Sequence, residues 1–315
     1  MTGQAWATLR DYPNPSRCKR TINHPEKDMR PFLTSLLLSL SLVVSVQAQS
    51  LNGTLQRVAE SGTFTIGYVP DSAPMSFNDD NGKPTGYSIA LCLHVANAVK
   101  AAAGVEELEV RYVPLVSLEE RLSAVQNHTV DIECGATTVT LSRRERVDFS
   151  LMTFITGAAV LSTSAWPIQS IQDLSGKTVA VIKGTTTESG LRKFISGNDY
   201  KITLRLIATR NEGMELLNSG KVDGFASDRA MLVGLAFRSG DRSKYAITRD
   251  VFSFEPYALM LPRGDTNFRL VTDSALASLY RDARILRLYQ DWFGRYGEAM
   301  SPIMKALYEF QAVAE

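Results

Sequence analysis

Three histidines and three cysteines are all that the 315 residues contain. The histidines do not cluster. His24 lies near the start, His94 inside an apolar helical stretch and His128 just after a second helix. Structural and catalytic zinc sites need three or four N or S ligands at matched spacings, so no metal site is expected. Excess charge is missing as well: 34 Lys and Arg stand against 33 Asp and Glu, a net of +1. Nucleic-acid binders carry a clear basic surplus, and this balance argues against that class. There is no G-x-S-x-G, H-E-x-x-H, C-x-x-C or P-loop, so the usual hydrolase, metalloprotease, redox and nucleotide-phosphate signatures are absent.

Long apolar runs are also scarce. The one that stands out, FLTSLLLSLSLVVSV from Phe32 to Val46, follows Met29-Arg30-Pro31 and ends at Val46-Gln47-Ala48. A basic start, a short apolar stretch and small residues before a cut describe a secretory signal peptide over residues 29–48, too short for a comfortable membrane span. No cysteine follows the run, which argues against a lipid anchor. Residues 1–28 are polar and unpatterned, and Met29 is the expected initiator. Residues 1–48 hold six Lys and Arg and three Asp and Glu, so the remainder carries 28 against 30, a net of −2. Cys18 leaves with this leader. Cys92 and Cys134 remain, both in apolar surroundings; they either pair in an oxidising compartment or stay as two buried thiols.

What is present is alternation. TFTIGYV reads as a strand, and GYSIALCLHVANAVKAAAG as a helix ended by Gly104. LEVRYVPL is a strand, and SLEERLSAVQNH a helix opened by a Ser117–Glu120 capping box. VDIECGAT is a strand again, followed by a long apolar extended run, Met152–Ser162. A second block repeats the order: KTVAVI, TTTESGLRKFI, ITLRLIA, RNEGMELLNSG, VDGFAS, DRAMLVGLAFRSG. A second long extended segment, Glu255–Pro262, and a helical tail close the chain. The βαβα order predicts largely parallel sheets covered by helices. Two blocks that each end in a long extended segment predict two lobes joined by two crossing strands. Lobe 1 is expected over 49–154 and 251–315, lobe 2 over 155–250.

Anion recognition is the chemistry the residues suggest. Arg143 lies five residues after Thr138, beyond the VDIECGAT strand. A guanidinium grips a carboxylate through two parallel hydrogen bonds, and Thr138 can add a third through hydroxyl or backbone N–H; otherwise Arg143 sits on a solvated face. Gly184-Thr185-Thr186-Thr187 joins a strand to a helix, where free N–H groups favour an anion, or where a threonine simply caps. Asp228 ends VDGFAS; it either meets a ligand ammonium or caps the next helix. All three fall at the carboxyl ends of strands, where open α/β sheets bind ligands.

The segments GYVPDSAPMSFNDDNGKPTGYSIAL, RLSAVQNHTVDIECGATTVTLSRRERVDFS, LSGKTVAVIKGTTTES and NSGKVDGFASDRAML, in this order and spacing, resemble the periplasmic polar-amino-acid-binding proteins of ABC importers, the bacterial extracellular solute-binding family 3. The resemblance covers roughly Leu51 to Tyr296 and is closest to the glutamate/aspartate-binding branch. It implies an α/β fold of the periplasmic-binding-protein-like type II, with the ligand cleft between the lobes. It also implies a monomeric periplasmic receptor for a polar, acidic L-amino acid that docks on a membrane permease and its ATPase subunits, without cofactor, metal or nucleic acid. Carried over residue by residue, Arg143 and Thr138 take the α-carboxylate with Gly135, Ala136 and Thr137. Thr185 and Thr186 contribute from lobe 2, and Asp228 takes the ammonium. Arg121 and Arg210 are candidates for a distal carboxylate, and Ser72 joins the set from the first loop. The branch's basic residue in that loop is Val69 here, and its Pro-Phe is Pro74-Met75. An enzyme on the same fold, a cyclohexadienyl or arogenate dehydratase, is the alternative, with Glu188 as the acid that would expel water. A ligand-presenting sensory module is a third; the absence of a following transmembrane helix favours a stand-alone receptor.

Overall fold

A computed structural model describes residues 51–314, apart from Asp199 and Glu298. The leader expected over 1–48 lies outside the described residues. Helix α1 (Gly53–Ser61) leads into β1 (Thr63–Tyr68). A small sheet of β2 (Asp71–Ser72), β3 (Ser76–Asn78) and β4 (Pro84–Thr85) precedes α2 (Tyr87–Ala103). Then follow β5 (Glu109–Pro114), α3 (Leu118–Gln126), β6 (Ile132–Glu133), the single turn α4 (Leu141–Arg144) and the long β7 (Val147–Thr156). The second block comprises β8 (Ala158–Thr163), β9 (Thr178–Ile182), α5 (Thr186–Asn198), β10 (Thr203–Ile207), α6 (Arg210–Asn218), β11 (Gly224–Asp228), α7 (Arg229–Arg238) and β12 (Tyr245–Ile247). Strand β13 (Glu255–Pro262) then returns, and α8 (Thr266–Arg281), α9 (Arg284–Phe293) and α10 (Pro302–Phe310) follow.

The strands form two five-stranded sheets, ordered β5-β1-β6-β13-β7 and β10-β9-β11-β8-β12. Both are mixed rather than largely parallel. β1 runs parallel to β5 and β6, but β13 is antiparallel to β6 and β7. In the second sheet β9 is parallel to β10 and β11, and β8 is antiparallel to β11 and β12. Periodicity marks strands but not their direction. A strand coming back from the other lobe must run against the one that left, which puts β13 opposite β7.

Local signals explain the element ends. Ser117 and Glu120 cap α3 reciprocally, satisfying orphan N–H groups. Gly104 ends α2 at φ 68°, in the left-handed region that glycine enters freely. The helical tail divides at Ala283, and Ile285, Tyr289 and Phe293 of α9 then turn one buried stripe onto the core. In sheet two, Val179 and Val181 face one core with Val160 and Leu191, while Ala180 faces the other with Leu161, Phe225 and Leu232. That period of two on a sheet covered on both sides buries every residue from Val179 to Val181.

Two expected extended segments are cut differently. Of VDIECGAT, only Ile132 and Glu133 are strand; from Gly135 the chain leaves the sheet, touching β13 again at the Thr138–Tyr257 bridge. The run Met152–Ser162 splits into β7 and β8 at Gly157. There the two crossings hydrogen-bond, Phe252 N–H to Ala158 O at 2.9 Å. A Cβ on Gly157 would lie 2.5 Å from Ser253 O, so only glycine permits this approach. The two remaining thiols pair: Cys92 on α2 and Cys134 at the end of β6 form a disulfide with Cα atoms 6.3 Å apart.

Candidate functional site

The loop after β6 carries the first half of the site. Thr140 caps the α4 turn by accepting the Arg143 N–H at 3.2 Å. The turn carries Arg143 inward, where its Nη1 donates to Thr138 O at 2.6 Å. Burial, then the nearby Arg121 guanidinium, push Arg143 down to about 10, still cationic at neutral pH. No carboxylate among the described residues forms an ion pair with it. A desolvated cation without a bonded counter-ion is costly, and an incoming anion removes that cost.

Beneath this loop lies a buried polar triad. Arg121 Nε donates to Glu133 Oε1 at 2.9 Å, its Nη2 to the Thr137 hydroxyl, and Thr137 Oγ1 to Glu133 Oε2 at 2.8 Å. Arg121 therefore carries a structural ion pair while part of its guanidinium also lines the cleft. A Cβ on Gly135 would collide with Glu133 Oε1, so glycine lets the loop lie over this triad.

The second half comes from lobe 2. Thr185 caps α5: its hydroxyl accepts from Glu188 N–H at 3.2 Å and donates to Ile182 O at 2.8 Å. The hydroxyls of Thr186 and Thr187 turn toward acids instead. Thr187 donates to Asp228 Oδ1 at 3.0 Å, and Tyr257 OH donates to Asp228 Oδ2. Asp228 makes no capping bond to α7, so its carboxylate is directed into the site rather than to its own helix. Burial first, and Glu255 next, raise it above the usual carboxylate range. A ligand ammonium would relieve that penalty.

Glu255 joins the halves. Its Oε2 accepts from Thr138 of lobe 1 and Thr186 of lobe 2, both at 2.6 Å, and its Oε1 from Ser253 at 2.5 Å. A hydroxyl has one proton. With it given to Glu255, the oxygens of Thr138 and Thr186 can only accept, and donation to a ligand carboxylate falls to backbone N–H groups and Arg143. The first N–H groups of α5 have no partner within their helix.

Arg143, Thr138, Thr137, Ala136, Arg121, Thr185, Thr186, Asp228 and Arg210 line one small cavity of about 40 Å3. It adjoins a cleft of about 850 Å3 between the lobes, also lined by Arg121, Thr185 and Arg210. Gly135, in the loop over the triad, and Ser72, buried in β2, line neither space. Arg210, at the start of α6, meets Asp71 of lobe 1: its N–H donates to Oδ2 at 2.9 Å and its Nη1 to Oδ1 at 3.4 Å. Sequence reasoning missed Glu255, Tyr257, Thr187, Glu133 and Asp71. Glu255 and Tyr257 share one face of β13, and an acid opening an otherwise apolar strand was the available signal.

Glu188 is occupied elsewhere. Burial would raise it, but Gly184 N–H at 2.7 Å and Arg192 at 2.8 Å outweigh burial and hold it below its ordinary value. A carboxyl held ionised is a poor proton donor.

Residues 64–295 match the bacterial extracellular solute-binding proteins, family 3. The chain is 36% identical over 264 residues to an L-glutamate/L-aspartate-binding protein of Pseudomonas aeruginosa, covering 83% of this chain and 86% of that one. Among solved structures, an ancestral arginine-binding protein bound to glutamine superposes with a TM-score of 0.64 at 28% identity, over 74% of this chain and 98% of the other. An ancestral amino acid-binding protein, a precursor of cyclohexadienyl dehydratase, gives 0.66 at 26% identity, over 76% and 100%.

Proposed function

We propose, from the premise that this chain belongs to the bacterial extracellular solute-binding proteins of family 3, that it is a receptor for a polar L-amino acid delivered to an ABC importer. The carrying observation is that one cavity is lined by a partly buried cation of lobe 1 without an ion pair, Arg143, and a buried carboxylate of lobe 2, Asp228. These opposite charges match the α-carboxylate and α-ammonium of a zwitterion. The ligand bridges the lobes, so binding favours the closed state. The P. aeruginosa relative's glutamate and aspartate make acidic amino acids the first candidates, with Arg210 and Arg121 facing the side chain. Lobe 1 comprises 49–154 and 251–315, and lobe 2 comprises 155–250. A signal peptide over 29–48 sends a monomer to the periplasm, where a permease and its ATPase take the ligand. Against a dehydratase stands Glu188, whose carboxyl is held below its ordinary value by the Gly184 N–H and Arg192.

Isothermal titration with a panel of L-amino acids tests this. At least one should bind with a Kd well below millimolar, and none binding at millimolar overturns it. Arg143→Ala leaves the ligand carboxylate without its charge partner. Truncations of this kind cost about 2–5 kcal/mol, so affinity should fall by roughly 30-fold or more; unchanged affinity refutes the site.

A further inference from the structure

We infer that Asp71 is a specificity-determining residue that, with Arg210, forms a donor–acceptor subsite accepting side-chain carboxamides, glutamine or asparagine, as well as carboxylates. This rests on the amino-acid-receptor reading. Asp71 opens the first loop of lobe 1, and Arg210 stands at the first turn of α6 in lobe 2; each keeps about 13–14% of its side chain exposed. They face each other along the cleft, and Arg210 also reaches the small inner cavity. Their pairing is incomplete. Nη1 to Oδ1 is a long 3.4 Å, and Arg210 Nε is buried with no acceptor among the described residues. A buried guanidinium N–H without an acceptor is a cost that a ligand oxygen removes.

The charges around this space decide which oxygen. Arg121 is neutralised by Glu133, and Arg210 by Asp71. Around the inner cavity, Asp228 and Glu255 add two further acids against Arg143, which has no ion pair; farther out, the cleft is lined by the exposed Lys183 together with Glu119, Glu120 and Glu212. Three arginines against four carboxylates leave no spare positive charge for a second ligand carboxylate once Arg143 holds the first. Val69, buried beneath the binding loop, supplies none. A carboxamide fits without a charge of its own. Its C=O accepts from Arg210, and its NH2 donates to an Asp71 oxygen. A carboxylate gains the same bond from Arg210 but lies beside Asp71, a like charge.

The test is titration of the wild type, Asp71→Asn and Asp71→Ala with L-glutamine and L-glutamate at pH 7, with each fold checked by melting temperature. Wild-type Kd values for the two ligands should agree within about tenfold. Both substitutions remove the like charge, so the ratio should move toward glutamate by about tenfold or more, with Asp71→Ala also weakening glutamine. A wild-type preference for glutamate above a hundredfold, or a ratio unmoved by Asp71→Asn, overturns the inference while leaving the receptor reading intact. Binding of neither ligand, nor of any other amino acid, overturns both. Should Asp71→Ala fail to fold, the nearly isosteric Asp71→Asn and the wild-type ratio still decide.

Discussion

Tyr257 shows how one hydroxyl sets the site's response to pH. Its OH donates to Asp228, the carboxylate proposed to hold the ligand ammonium. Burial and the nearby Glu255 raise Asp228, and the Tyr257 hydroxyl is the strongest of the groups that lower it. Asp228 holds an ammonium only when ionised. Affinity should therefore fall as pH drops through the raised value of Asp228, above the ~3.9 of a free aspartate. For the free protein the sign is opposite: a carboxylate raised on folding stabilises the fold below its unfolded value, and that contribution is lost as pH rises through the folded one. The ligand thus restores at neutral pH what burying an ionised Asp228 removes. Tyr257→Phe deletes a hydrogen bond to a charged group, worth about 1.5–3 kcal/mol. Affinity at pH 7 should fall by roughly tenfold or more and its acid limb should move to higher pH. Titrations between pH 4 and 8 check both, and a limb that stays put refutes the role. The family resemblance picked out Arg143, Thr138 and Asp228, which lie after β6 and at the end of β11. Tyr257 and Glu255 stayed hidden because they meet Thr138 only after more than a hundred intervening residues, inside a strand whose apolar pattern explains itself.

Elements deliver these side chains, and two covalent or steric details hold them there. The Cys92–Cys134 bridge ties α2 to the end of β6, one residue before the binding loop. It closes a 42-residue separation, and the chain-entropy model gives such a loop about 4 kcal/mol. Reduction, or Cys92→Ser with Cys134→Ser, should lower stability by about that amount in urea unfolding and weaken ligand binding with it. Unchanged stability would show that the bridge constrains nothing. The pairing was open in the sequence because two apolar contexts fit a bridge and two packed thiols equally; only the meeting of helix and strand decides. Strand direction was hidden for a related reason. Period two marks a strand in either direction, so the antiparallel β13 could be located but not oriented. Gly157, where β7 gives way to β8, passed unnoticed inside one apolar run. Its need is tertiary, set by Ser253 O on the other crossing.

At the scale of the whole molecule, the contacts between lobes define what closure must make and break. Thr138 and Thr186 share Glu255, and Asp71 holds Arg210 across the cleft. Each contact is polar and small beside the apolar core inside either lobe. Beside them, Met231 of α7 packs into the core of lobe 1 and Phe237 meets the Tyr296 ring edge-on, so separating the lobes also exposes apolar side chains. Two-lobed order was readable early because similar alternating blocks followed one another. The cleft's chemistry was only half readable, because its acids come from strands and loops of both lobes. A ligand that binds only the closed form stabilises the native state by mass action, about 2.7 kcal/mol at a hundred times its Kd. For a chain of this size each kcal/mol moves Tm by about 2–4 °C, so saturation should raise it by roughly 5–10 °C. The radius of gyration from small-angle X-ray scattering should shrink at the same time. Arg143→Ala, which cannot hold the ligand carboxylate, should show neither change at that ligand concentration. A thermal shift without contraction in the wild type would mean that the ligand binds one lobe and the crossings do not act as a hinge.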